Sequence, residues 1–350
     1  MSTDTDTRTA ASTDTTAATD HPRSSIGPSV GRGTTSRRRQ PELGVGDTLG
    51  AGDSYLVADV LPADLAKVAF ERLKEEVKWN VMHHRGGEVP RLVAVEGEVG
   101  EDGSFPLYRH PADESPPLSP FSPTVARIRD HVQQVLEHPV NHVLIQHYRS
   151  GKDYISEHSD KTIDIVRGSN IVNVSLGAQR VMTLRLKAPP REHREQTSPS
   201  PSGADAGADG SAETRAKPPP RQTQRIPLPH NSMFVMGPET NRQWLHGIHH
   251  DNRALSEKSE AELFEGMERI SLTFRHIGTF LTADGGRIFG QGARGKTREE
   301  ARPVVFGGEE SERLIAAFGE ENYRNDFDWE RNYGEGFDVL HFKAIRDDGV

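Results

Sequence analysis

The chain has 350 residues, room for one large domain or two small ones, and 33% hydrophobic against 27% charged residues is polar enough to imply that part of it stays unfolded. It has no cysteine, which excludes disulfides, thiolate metal sites and cysteine nucleophiles, so any metal must be held by His, Asp and Glu. A net charge of −9 gives no average attraction to phosphate backbones, though a local basic patch stays possible.

Residues 1–48 are rich in Ser, Thr, Asp, Gly and Arg and nearly devoid of large apolar side chains, so they are read as a disordered N-terminal tail. They lack the apolar stretch of a secretory signal and are too acidic for a mitochondrial presequence. With no apolar run near the roughly 20 residues of a membrane span, no membrane association is expected, and the location is taken as cytoplasmic or nuclear. Ser36-Arg-Arg-Arg39 is a weak basic cluster at most.

From residue 49 to 350 the pattern is that of one domain. Leu65, Val68, Ala69 and Leu73 recur at helical spacing and predict a helix over Pro62–Trp79. Val125, Ile128, Val132 and Val135 predict a second over Pro123–Leu136. The pattern then turns to β, with strands at Val140–Tyr148, Ile171–Leu176, Val181–Leu186, Ser232–Met236 and Arg269–Phe274. A Ser/Pro- and Ala/Gly-rich stretch at about 188–224 interrupts this series and reads as a disordered surface insertion. The fold class is therefore α+β, mainly β: a jelly-roll core with helices on its N-terminal side. A C-terminal extension begins at about residue 279. Ser311–Phe318 can form a helix, and the acidic, aromatic stretch Asn322–Tyr333 is too aromatic for a free tail and should pack on the domain.

Two segments carry metal chemistry. In Tyr154-Ile-Ser-Glu-His-Ser-Asp160, His158 and Asp160 stand two apart and, on an extended chain, point to one side. In Gln243-Trp-Leu-His-Gly-Ile248, His246 follows a strand and turn, and a ligand from such a distant strand would complete two histidines and one carboxylate. That face leaves positions open, as iron(II) oxygenases require. His249 and His250 compete with His246, but the surrounding Trp-Leu-His-Gly-Ile favours His246; His230 reads as a turn residue. The segment Arg269-Ile-Ser-Leu-Thr-Phe-Arg275 alternates strictly, with Arg269, Ser271, Thr273 and Arg275 on one face. Two arginines facing a barrel interior need anions, and a diacid would serve. The alternative is a strand whose polar face lies in water.

These motifs together resemble the AlkB-type family of Fe(II)/2-oxoglutarate-dependent dioxygenases, over most of residues 79–280. The resemblance implies a double-stranded β-helix core, Fe(II) held by His158, Asp160 and His246 as the catalytic centre, 2-oxoglutarate as co-substrate, and O₂. It implies that Arg269 binds the carboxylate of 2-oxoglutarate far from iron, that Arg275 supports the carboxylate and keto end near iron, and that Tyr148 helps hold the molecule. Gln146 and Ser271 stand where many members have Asn, and both can still hydrogen-bond it. His83-His-Arg-Gly-Gly-Glu-Val-Pro-Arg91 and Tyr108-Arg109 resemble the family's nucleotide-recognition lid, so His84, Arg91 and Tyr108 are substrate-contact candidates.

One departure bears on function. Lys161-Thr-Ile163 follows Asp160 where many repair members have acidic residues that read the damaged base. The expected function is hydroxylation of a substrate C–H bond with release of succinate and CO₂, as oxidative N-dealkylation of alkylated nucleic acid. The alternative is oxidation of a small molecule, an amino acid or secondary metabolite, by the same iron chemistry. No obligate protein partner is evident.

Overall fold

The computed structural model describes residues 41–84, 87–111, 116–188 and 220–341. The tail over 1–40 and the insertion over 189–219 lie outside the described residues.

In chain order the elements up to the middle of the domain are β1 (Tyr55–Val57), α1 (Ala63–Glu76), β2 (Asn80–His84), β3 (Gly87–Gly97), β4 (Phe105–Pro106), β5 (Leu118–Pro120), α2 (Pro123–Leu136), β6 (His142–Tyr148), β7 (Ile155–His158), β8 (Ile171–Gly177) and β9 (Arg180–Leu186). After the insertion come β10 (Thr223–Leu228), β11 (Ser232–Met236), α3 (Pro238–Gln243), β12 (Trp244–Ile248), α4 (Glu260–Leu263) and β13 (Arg269–Arg275). The remainder comprises β14 (Thr279–Leu281), β15 (Arg287–Gly290), β16 (Arg302–Pro303), β17 (Val305–Phe306), α5 (Gly308–Tyr323), α6 (Trp329–Tyr333) and β18 (Val339–His341).

The eight strands from β6 to β13 divide between two sheets: β11-β8-β13-β6 form the centre of the larger, and β10-β9-β12-β7 the smaller. All their pairings are antiparallel. The chain passes from sheet to sheet, except for the β9–β10 hairpin, and this connectivity is that of a jelly roll. β1 extends the larger sheet at one end, β3 and β2 at the other.

Strand alternation decides what each face of the larger sheet meets. Ile270, Leu272 and Phe274 of β13 join Val143 and Ile145 of β6 and Val172, Val174 and Leu176 of β8 on the outer face. There they bury Leu65, Phe70 and Leu73 of α1 and Val125, Ile128 and Val132 of α2. Each such side chain contributes about 1.5–3 kcal/mol by leaving water. The opposite face of β13 is also buried, so the reading in which its polar side chains lie in water is excluded: Arg269, Ser271 and Arg275 are 1, 1 and 2% exposed. They look into the space between the sheets. Gly177, at φ +85°, closes the edge of β8; a Cβ there would sit 2.4 Å from the Glu268 carbonyl oxygen.

Three boundaries differ from the sequence expectation. Residues 41–48 are not all tail: Glu42 bridges to Arg225, Leu43 N–H donates to Arg225 O at 2.8 Å, and the Leu43 side chain packs against the core. The insertion stops short of 224, because Thr223 and Gln224 pair with Arg185 and Leu184. The segment from 279 is woven into the domain rather than appended: β14 pairs with β4, far upstream. Beyond it, Leu314 and Phe318 of α5 form a small core with Phe327, Tyr333, Phe337 and Ile163. Polar composition hides each boundary, since backbone pairing needs no apolar side chain. No helix among the described residues is long and apolar enough to cross a membrane.

Candidate metal and co-substrate site

β7 and β12 are neighbours in the smaller sheet, and their register sets His158 directly opposite His246. The two rings lie 4.3 Å apart between centroids. Asp160 follows just past the end of β7, with Oδ1 3.7 Å from Nε2 of each histidine. All three ligand atoms fall within 4.8 Å of one another, and among the described residues no other such group of three occurs. His249 instead approaches Glu157, and His250 packs on Tyr154 with Nδ1 near Lys152 O. His230 accepts from Gly177 N–H in the turn before β11.

The electrostatics suit a cation. Desolvation pushes both imidazole pKa values below their ordinary range, that of His246 to about 3, so both rings are neutral at physiological pH. Burial alone would raise Asp160, but the charge and hydrogen bonds of Arg275 outweigh it and hold the carboxyl well below its usual range. His158 Nδ1 lies 2.8 Å from Ser156 O, which fixes the proton there and turns Nε2 toward Asp160. Asp160 is itself divided: Oδ2 accepts from Arg275 Nη2 (2.6 Å) and Nε (2.9 Å), while Oδ1 faces the histidines. Two neutral imidazoles and one carboxylate oxygen are a donor set that fits iron(II) with positions left open.

Deeper between the sheets stands Arg269. Its Nε donates to Ser175 Oγ at 2.8 Å and Nη2 to Asn173 Oδ1 at 3.0 Å. Its Nη1 is buried with no hydrogen-bond partner, and its guanidinium lies 5.2 Å from the Tyr148 ring centre. Burial lowers its pKa to about 10, yet it remains charged. A buried cation with an unused donor is costly unless an anion completes it, and the carboxylate of a diacid would. Tyr148 O–H donates to Gln146 Oε1 at 3.3 Å, and Ser271 accepts from Asn173 Nδ2 at 2.6 Å. Arg269, Asn173, Tyr148, Gln146 and Ser271 line one cavity, together with His158, Asp160 and His246.

A second, larger cleft of ≈ 1370 Å³ opens on the other side. Gln146, His158, Asp160 and Arg275 line both spaces and His246 the first, so His158 and Asp160 stand at the neck between them. One wall of the outer cleft is the β2–β3 hairpin, with Met82, Val89 and Arg91; the facing wall is α5, with Ile315, Asn322 and Tyr323.

The expected substrate contacts fare unequally. Arg91 lines the cleft and has a buried, unpartnered Nε, with Nη1 on Tyr154 O at 2.8 Å. Tyr108 lines it too, but its hydroxyl accepts from Lys161 N–H and its ring covers the Arg275 guanidinium at 4.2 Å. His84 ends β2 opposite Gly87, at the hairpin tip. Arg109 does not face the cleft: it is buried in an ion pair with Asp164 (2.7 Å) and donates to the carbonyls of Gly292 and Phe337. The nearest partner of Arg275 is Asp160 rather than open space at the neck.

Four residues around these side chains are not marked by the sequence. Asn173 and Ser175 orient Arg269, and the alternation of β8 that buries Val172 and Val174 outward could have placed both inward. Arg180, 6% exposed, donates to the carbonyls of Ser150, Asp153 and His249 behind Tyr148. Asn241 of α3 accepts from Asp160 N–H (2.9 Å) and donates to Asp160 O (3.0 Å). No local pattern announces Asn241.

A model of the 2OG-Fe(II) oxygenase superfamily matches residues 53–275, and the chain belongs to that superfamily. Within it, the chain is of the AlkB type. The human DNA oxidative demethylase ALKBH2 is 30% identical over 210 residues, 60% of this chain and 62% of that protein. The Bos taurus alpha-ketoglutarate-dependent dioxygenase alkB homolog 3 is 24% identical over 216 residues, 61% of this chain and 62% of that protein. The chain thus spans just under two thirds of the length of these two relatives. Among solved structures, that of OsALKBH1 aligns with a TM-score of 0.37 and 15% identity, over 64% of this chain and 96% of that one.

Proposed function

We propose that the protein is an Fe(II)- and 2-oxoglutarate-dependent dioxygenase that removes alkyl groups from nucleic-acid bases, with iron held by His158, Asp160 and His246. The observation that carries this reading is the neck: all three ligand residues line an inner chamber that holds an uncompensated arginine, and two of them, His158 and Asp160, also line the outer cleft. That the ALKBH2 relatives are DNA oxidative demethylases supports nucleic acid as the substrate class.

Bound iron(II), with 2-oxoglutarate and O₂, would supply oxidative decarboxylation to succinate and CO₂ coupled to hydroxylation of a C–H bond, which on an N-alkyl carbon releases an aldehyde. The chain's own residues bind and orient. Arg269 neutralises the carboxylate that enters the inner chamber, and Tyr148 and Gln146 border the same molecule. Arg275 keeps Asp160 ionised and aims its Oδ1. Met182, Phe234 and Met236 exclude water from the inner chamber. In the outer cleft, Arg91 presents a donor, and the apolar hairpin wall offers a surface for a base.

The test is to supply the purified protein with Fe(II), 2-oxoglutarate and air, and to follow succinate and formaldehyde with an N-methylated single-stranded oligonucleotide. A pool of amino acids and small metabolites runs beside it. Equal yields of succinate and formaldehyde with the oligonucleotide support the proposal. Succinate rising only with the metabolite pool transfers the substrate to the small-molecule class, and Lys161 in place of an acidic residue would then be the clue to it.

A further inference from the structure

β7 ends at His158, so Ser159, Asp160, Lys161 and Thr162 have no strand to pair with. An unpaired stretch would leave the second metal-binding residue on a loose backbone. Instead, four successive amides are each taken by a side chain from elsewhere: Ser159 N–H by Asn322 Oδ1 (3.0 Å), Asp160 N–H by Asn241 Oδ1 (2.9 Å), Lys161 N–H by the Tyr108 hydroxyl (3.2 Å) and Thr162 N–H by Glu321 Oε1 (3.0 Å). Two of the four acceptors sit side by side near the end of α5, 46 residues or more beyond the last residue matched by the superfamily model at 275. The same helix end also takes the Ser159 hydroxyl on the Glu321 carbonyl (3.3 Å) and the Lys161 ammonium on Asn322 Oδ1 (3.3 Å). Glu321 is itself fixed, its Oε2 accepting from Tyr333 O–H at 2.8 Å and its carbonyl from Lys187 Nζ at 2.6 Å.

From this we infer that the C-terminal segment is part of the metal site: Glu321 and Asn322 are positioning residues that hold His158–Thr162 in its ligating conformation. The inference rests on the metal reading given above and adds to it a device outside the matched region. The core that α5 shares with Ile163, Phe327 and Tyr333 makes the helix a rigid support, because Ile163 follows the clamped segment directly. The clamp touches no reacting atom, and its effect is on how well the three ligands converge.

The experiment uses the full chain, with Co(II) as a spectroscopic replacement for iron(II). Visible absorption is titrated with Co(II) for wild type, Asn322→Ala, Asn322→Asp and, as a control on the exposed side of α5, Glu312→Gln; the melting temperature of each metal-free protein is recorded. Asn322→Ala is expected to weaken Co(II) binding roughly tenfold or more and to alter the spectrum, as loss of a ligand-supporting partner does. Asn322→Asp, which keeps the acceptor oxygen, should restore binding and spectrum, and Glu312→Gln should match wild type. Unchanged Co(II) affinity in Asn322→Ala, or equal loss in Asn322→Asp, overturns the clamp while leaving the metal site standing. Wild type that binds no Co(II) overturns the metal reading, and the clamp with it.

Discussion

Arg275 and Asp160 meet through two hydrogen bonds, of 2.6 and 2.9 Å, both on Oδ2, at a site where each side chain is 3% exposed. The pair therefore assigns the two carboxylate oxygens different tasks: one is held by the guanidinium, the other is turned to His158 and His246. The arginine thus acts on the candidate metal centre through a ligand.

The pH dependence of metal binding should expose this. With Arg275 present, Asp160 stays ionised far into acid. In Arg275→Met the raising effect of burial is unopposed by the guanidinium, so Asp160 takes up its proton at a higher pH. Co(II) release on acidification should then move to higher pH than in wild type. Coincident release curves would show that Arg275 does not govern the carboxylate.

Arg269 predicts a separation of metal from co-substrate. Replacing it by Met removes the charge meant for the buried carboxylate and should weaken 2-oxoglutarate by about 100-fold, a loss of ~3 kcal/mol. Metal affinity should be unchanged. The metal-free variant should melt no lower than wild type, because a buried cation with an unpartnered Nη1 is removed. Isothermal titration with 2-oxoglutarate at saturating metal, together with a thermal melt, decides both points.

Burial holds His142 at about 3 and His110 at about 4, against an ordinary 6.5. Both are neutral in the fold where the unfolded chain protonates them, so the unfolded state binds more protons and stability rises with pH up to about 6.5. The contribution of each is lost as pH falls from there toward its folded value. His142→Phe should flatten the stability slope of the metal-free protein between about pH 4 and 6 by up to ~1.4 kcal/mol per pH unit. Urea unfolding at three pH values measures this, and parallel slopes would contradict it.

Arg109→Ala should act on folding. It strands Asp164, 0% exposed, and frees the carbonyls that tie β18 to the domain. A loss of roughly 3–5 kcal/mol is expected, as for a broken buried pair. A melt within a degree of wild type would mean that the pair contributes nothing.

What could be read from the sequence followed from periodicity. The alternation of Arg269–Arg275 gave a strand with one polar face, and that face proved to be buried against the site. His158, Asp160 and His246 were legible because two of them are sequence neighbours and the third lies in a distinctive apolar context. What escaped were polar residues whose partners are distant in sequence. Asn241, Glu321 and Asn322 look like ordinary helix-end residues until the fold sets them against the amides of 159–162. Arg109 misled for the same reason: its neighbour Tyr108 lines the cleft, and only the tertiary structure shows the arginine pointing into the protein.

The most direct test of the account is anaerobic. Fe(II) and 2-oxoglutarate are titrated into the protein while the visible charge-transfer absorption of an iron-bound α-keto acid is followed. One iron and one diacid per chain are expected, with no band in His246→Ala or Asp160→Ala, a normal band in His249→Ala, and a band in Arg269→Met only at far higher 2-oxoglutarate. A band that survives His246→Ala, or no band in wild type at any concentration, would contradict it.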